Sequence, residues 1–65
     1  LRDRGQRILM ETVGVERDRA GDLLDRAGGH VKTAIVMAKL GVEREEARKQ
    51  LDDAGGVLVD VVGDL

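Results

Sequence analysis

Laid over itself at an offset of 27, the chain matches GVERDRAGDLLDRAGG (Gly14 to Gly29) with GVEREEARKQLDDAGG (Gly41 to Gly56), ten of sixteen positions being identical. A repeated sequence implies a repeated local shape, so any fold open to this chain contains that shape twice. Two copies are fewer than the three or more that a solenoid needs, which points to duplicated helical units inside one compact domain.

The shape within each copy follows from its apolar spacing. Ala20, Leu23, Leu24 and Ala27 stand at i, i+3, i+4 and i+7, one face of a helix, and Ala47, Leu51 and Ala54 repeat the stripe. Charges fill the opposite faces. Asp22 with Arg26 and Glu45 with Lys49 stand four apart, acid first, each pair worth roughly 0.2–0.5 kcal/mol. Each copy closes on Gly-Gly, and a glycine just past the last turn can take the left-handed conformation that satisfies free carbonyls. Gly28 and Gly55 are therefore read as helix stops. Each copy opens on Gly-Val-Glu, and glutamate is a poor N-cap, so Glu16 and Glu43 predict weakly held helix starts.

Outside the copies, Leu1, Ile8, Leu9 and Thr12 fall at helical spacing, interrupted by Gly5 and ended by Gly14. VKTAIVMAKL is apolar nearly all round, with only Lys32, Thr33 and Lys39 interrupting it, as suits a helix surrounded by others. The tail VLVDVVGDL has the valines of a strand, yet Leu58, Val61, Val62 and Leu65 also form a helical stripe, and a lone strand would have no partner. We read it as helix. The expectation is an all-α single domain over 1–65, with about five short helices near 2–13, 16–27, 30–40, 43–54 and 57–63. Ile8, Leu9, Leu23, Leu24, Ile35, Leu51 and Leu58 form its core, with Met37 filling a gap.

Composition then narrows function. A chain of 65 residues buries a small core, worth about 3–5 kcal/mol of net stability. With no cysteine and one histidine, His30, neither disulfides nor a structural metal can supplement it. A neighbouring surface is the remaining support. The lack of cysteine suits a reducing compartment, and we expect a cytoplasmic protein. The longest stretch of low charge, Thr33 to Ala38, is far too short to span a bilayer, and no targeting segment is expected. Eleven basic and thirteen acidic side chains are interspersed, and Phe, Tyr and Trp are absent. Nucleic acid lacks both a basic stripe and stacking platforms here, and a hot-spot protein interface lacks its usual anchors.

RILMETVG, then GVERDRAGDLLDRAGGHV, then KTAIVMAKLG resemble the helix, loop, helix, Gly-rich loop, helix order of ubiquitin-associated-like three-helix bundles. A closer resemblance rests on R-I-L-M-E-x-x-G at Arg7 to Gly14, V-K-x-A-I-V-M at Val31 to Met37, and Leu40-Gly41. In these the chain is similar to the carboxy-terminal domain of N-acetylmuramic acid 6-phosphate etherases, relatives of the glucokinase regulatory protein, over about Arg7 to Gly56. Members often carry Ser or Asp where Glu16 and Glu43 stand, and an aromatic residue where Val57 stands.

That resemblance implies a ubiquitin-associated-like bundle extended by a duplicated unit and attached to an upstream sugar-isomerase-type α/β domain. The family cleaves the lactyl ether of N-acetylmuramic acid 6-phosphate, giving N-acetylglucosamine 6-phosphate and D-lactate, in cell-wall recycling. Its acid/base glutamates and phosphate-binding serines lie in the upstream domain of a homodimer, and nothing in this chain matches them. No catalytic residue, cofactor or metal is expected here, and sugar phosphate would be met only through the parent enzyme.

Two residues stand out as ligand candidates. Lys32 belongs to the matched run and interrupts an apolar helix, so it is the substrate-binding candidate. Its plainer role is a lysine whose stem lies along apolar surface, as does Lys39 one heptad on. His30 follows Gly28-Gly29 at a helix start, where free N–H groups can receive an anion, but the loop lacks the serines of specific phosphate loops. Arg2, Arg4 and Arg7 are diluted by Asp3 and read as a solvated first turn. The rival function is a stand-alone ubiquitin-associated-like interaction module. Such a binder would present a Met-Gly-Phe-like loop between its first two helices, where this chain has Val13, Gly14 and Val15.

Overall fold

The repeated Gly-Gly pairs set the geometry on which the fold is built. In the computed structural model, which describes the backbone of residues 2–63 and the side chains of residues 4–63, Gly28, Gly29, Gly55 and Gly56 all have φ between 66° and 85°. The Gly29 N–H donates to the Leu24 carbonyl at 2.9 Å and the Gly28 N–H to Asp25 at 3.1 Å. The second copy gives the same two bonds, Gly56 to Leu51 at 2.7 Å and Gly55 to Asp52 at 3.0 Å. This is the Schellman closure, with helical carbonyls satisfied by left-handed residues beyond the helix.

Five helices result among the described residues: α1 Arg2–Val13, α2 Arg17–Arg26, α3 Val31–Leu40, α4 Arg44–Asp53 and α5 Leu58–Val62. The residues expected as helix ends just outside several of these spans are caps. Glu16 (φ −75°, ψ 166°) and Glu43 (φ −78°, ψ 168°) are extended N-caps with no side-chain cap bond, and Ala27 and Ala54 are C-caps. His30 (φ −92°, ψ 112°) and Val57 (φ −90°, ψ 110°) are matching N-caps of α3 and α5. The ambiguous tail is therefore helical from Leu58 and stops at Gly63, while Leu65, like Leu1 and Asp64, lies outside the described residues.

The structural repeat is longer than the sixteen residues that align well. The same offset places Ile8 on Ile35, Met10 on Met37 and Gly14 on Gly41. The Gly14 N–H donates to Met10 at 3.0 Å, and the Gly41 N–H to Met37 at 2.9 Å. Thus α1, α3 and α5 are successive copies of one helix, and α2 and α4 of another. Contacts follow that order: α1 on α2 and α3, α2 on α3, α3 on α4 and α5, and α4 on α5.

The central helix, α3, touches all four others and buries Thr33, Ala34, Ile35, Val36 and Met37. The two largest fully buried side chains, Leu9 and Val36, occupy the same repeat position. Ala20, Ala27, Ala34 and Ala47 are wholly buried around them. With alanine at the contacts and no ring to accommodate, the helices approach closely. Gly5 extends this: a Cβ there would lie 3.1 Å from both a Leu24 methyl and a Val31 methyl, so its bare backbone seats α1 against its neighbours.

One expected core residue is not in the core. Ile8 is 39% exposed, whereas its repeat equivalent Ile35 is 4% exposed, because α3 packs on helices at either side while α1 packs, among the described residues, mainly on α2 and α3. Leu58 is half-buried against the core cluster. Of the charge pairs, Asp22 meets Arg26 at 3.9 Å and Arg19 at 3.4 Å, all more than half exposed. In the second copy, Gln50 donates instead to Glu46 at 3.1 Å.

Gly55→Ala should cost about 1–2 kcal/mol by placing a Cβ in the left-handed region, although nothing crowds the site. Gly21→Ala, inside α2, should do the opposite and raise stability by up to about 0.5–1 kcal/mol. Its added Cβ meets only the Gln6 amide, at 2.6 Å, the free end of a flexible side chain. Urea unfolding followed by helical circular dichroism measures both changes and their opposite signs.

Candidate functional site

The head of α3 and the facing side of α4 enclose an open groove of about 430 Å³, lined by Gly29, His30, Val31, Lys32, Thr33, Arg48, Leu51 and Asp52. Its position follows from where the two repeat units differ. The residues equivalent to Lys32, Thr33 and Arg48 are Gly5, Gln6 and Gly21. In the first unit Gln6 lies over the bare backbone of Gly21, and Gly5 admits Leu24 and Val31. The second unit substitutes two long cationic side chains and a shorter threonine.

Lys32 and His30, the sequence candidates, are brought together on this rim, both exposed. Lys32 has a partner within the fold: its Nζ donates to the Gly56 carbonyl at 3.0 Å. Its ammonium is thus held at the second Gly-Gly turn, tying the start of α3 to the end of the α4 closure. That contact extends the snorkelling role, since the stem follows the helix and the charge settles on a backbone oxygen. Lys39 is exposed on the last turn of the same helix.

Arg48 and Asp52 belong to the same rim and were not singled out by spacing, because both read as members of the charged face of α4. The signal was present in the aligned copies, where Arg48 replaces Gly21. With Lys32 and Arg48 against Asp52, the groove has an excess of one positive charge before His30 is counted, a setting that favours a small anion over a cation.

Asp52 is the one carboxylate among the lining residues, beside His30, Lys32, Thr33 and Arg48. Among the described residues there is no group of His, Asp and Glu suited to a metal ion, and no helix is long and apolar enough to cross a membrane. The buried Thr33 leaves no unsatisfied polar atom. What the geometry defines is an all-α stack of helical hairpins with a shallow cationic groove. No protein-family model matches the chain, and neither does any curated protein or solved structure.

Lys32→Met keeps the apolar stem and removes the donor to Gly56. Because the contact is exposed, the loss should stay below about 1 kcal/mol. Lys32→Arg, which can still donate, should retain more of that stability than Lys32→Met in the same urea titration.

Proposed function

We propose that the chain is the accessory carboxy-terminal helical module of a cytoplasmic etherase that converts N-acetylmuramic acid 6-phosphate to N-acetylglucosamine 6-phosphate and D-lactate. In this reading the module packs on an upstream sugar-isomerase-type α/β domain, takes part in homodimer contacts, and covers the mouth of the sugar-phosphate pocket. It performs no bond cleavage itself.

The supporting observation is the match between motif and architecture. V-K-x-A-I-V-M begins α3, the helix that every other helix touches, and its lysine stands on a cationic groove. R-I-L-M-E-x-x-G spans the end of α1 and its glycine stop. Several residues that carry the resemblance, Leu9 and Ala34 to Met37, are buried in the core, and Val31, Lys32 and Thr33 line the groove. The rival, a free interaction module, draws no support from the first loop, where Val13, Gly14 and Val15 offer no aromatic anchor.

The test is steady-state kinetics of the full-length protein on N-acetylmuramic acid 6-phosphate. Lys32→Ala should raise KM by about tenfold and leave kcat within about twofold, the pattern of a lost binding contact. An unchanged KM would remove Lys32 from the substrate. A full-length protein without ether-cleaving activity, or turnover by the 65-residue module alone, would remove the etherase reading itself.

A further inference from the structure

We infer that the groove between α3 and α4 binds the phosphoryl group of a phosphate monoester through the Thr33 hydroxyl and the Arg48 guanidinium, two groups that the motif match does not assign. The inference rests on the reading that brings a sugar phosphate to this groove, and its test is chosen so that the two fail separately.

Thr33 marks the site. It is 5% exposed, yet its hydroxyl makes no hydrogen bond with the described residues. A helical threonine commonly settles its hydroxyl on a carbonyl three or four residues back. No sealed side-chain oxygen among the described residues lacks a partner, so the Thr33 oxygen keeps an open side towards the groove that the residue lines. A nearly buried side chain thus directs one hydroxyl, both donor and acceptor, at whatever enters.

Arg48 lines the same groove from α4, exposed and with no hydrogen bond or ion pair to the described residues. Its guanidinium offers paired donors in the geometry that a phosphoryl group accepts. Lys32 gives one N–H to the Gly56 carbonyl at 3.0 Å and keeps two for a ligand. The first turn of α3 carries no acidic side chain, and its N-cap His30 makes no side-chain cap bond, so the N–H groups of the helix start add to the same donor set. Asp52 is the single opposing charge. A dianion gains from this set where a cation does not, and Val31 and Leu51 supply an apolar wall for the rest of an ester. The equivalent positions of the first unit, Gly5, Gln6 and Gly21, hold no cation, so the site belongs to the second unit alone.

Titration of the 65-residue chain with inorganic phosphate, at constant ionic strength and followed by amide NMR, tests this. The amides of Val31, Lys32, Thr33 and Arg48 should shift together and saturate with a Kd of about 1–10 mM. Acetate should leave them in place. Thr33→Val and Arg48→Gln should each keep the helical spectrum and weaken phosphate binding about fivefold or more, whereas Asp52→Asn should tighten it about twofold. Were Thr33→Val to lose that spectrum, the exposed Arg48→Gln decides by itself. No saturation by about 50 mM phosphate, an equal response to acetate, or shifts spread over all the lysines and arginines overturns the inference. The etherase reading is decided separately, by turnover of the full-length protein.

Discussion

The left-handed glycine pair that ends α2, and again α4, is the constraint from which the rest of the architecture follows. It satisfies the last carbonyls of a helix and turns the chain within two residues, so that the next helix returns along the one just completed. Because both pairs adopt nearly the same angles, the two turns launch α3 and α5 in equivalent directions. Identical local geometry applied twice produces stacking, and this explains why the main contacts join helices one or two apart in chain order.

That stacking concentrates the core on one helix. α3 inherits a neighbour from the unit before and another from the unit after, and its apolar residues on almost every side are the consequence. The terminal helices each have one open flank, where they carry their exposed apolar residues. A 65-residue domain with no Phe, Tyr, Trp or Cys draws its stability from close helix contact, and the wholly buried alanines and Gly5 make that contact possible. The same smallness limits it, since alanine contributes little area. Stability thus depends on the fit between helices more than on the bulk of any side chain.

Most of the fold was legible because its two signals are local. Helical spacing identified α2 and α4, and the glycine pairs marked where they stop; neither depends on distant contacts. The tail was ambiguous because valine favours a strand by propensity, and the repeat register resolved it by equating Leu58 with Val31. Ile8 was misplaced for a complementary reason. Spacing shows which residues share a face, but not whether another helix covers that face, and among the described residues none covers Ile8. The wider repeat, from α1 to α3, was hidden because burial conserves character and not identity: Leu9 and Val36 do the same work with different side chains.

The groove illustrates the opposite limit. Residues shared by the two copies build the scaffold, so an alignment that rewards identity passes over the positions where the units diverge. Gly21 against Arg48, and Gly5 against Lys32, are such positions, and the change is from absent side chains to long cationic ones. In the first unit those absences let the helices close together; in the second the same sites open a charged groove. Duplication supplies a stable hairpin twice, and one copy suffices to keep α1 seated on the core. The other can then exchange close packing for surface chemistry, provided that something compensates the exposed charge, which the Lys32 bond to Gly56 does. Scaffold and groove therefore occupy the same repeat positions in different copies.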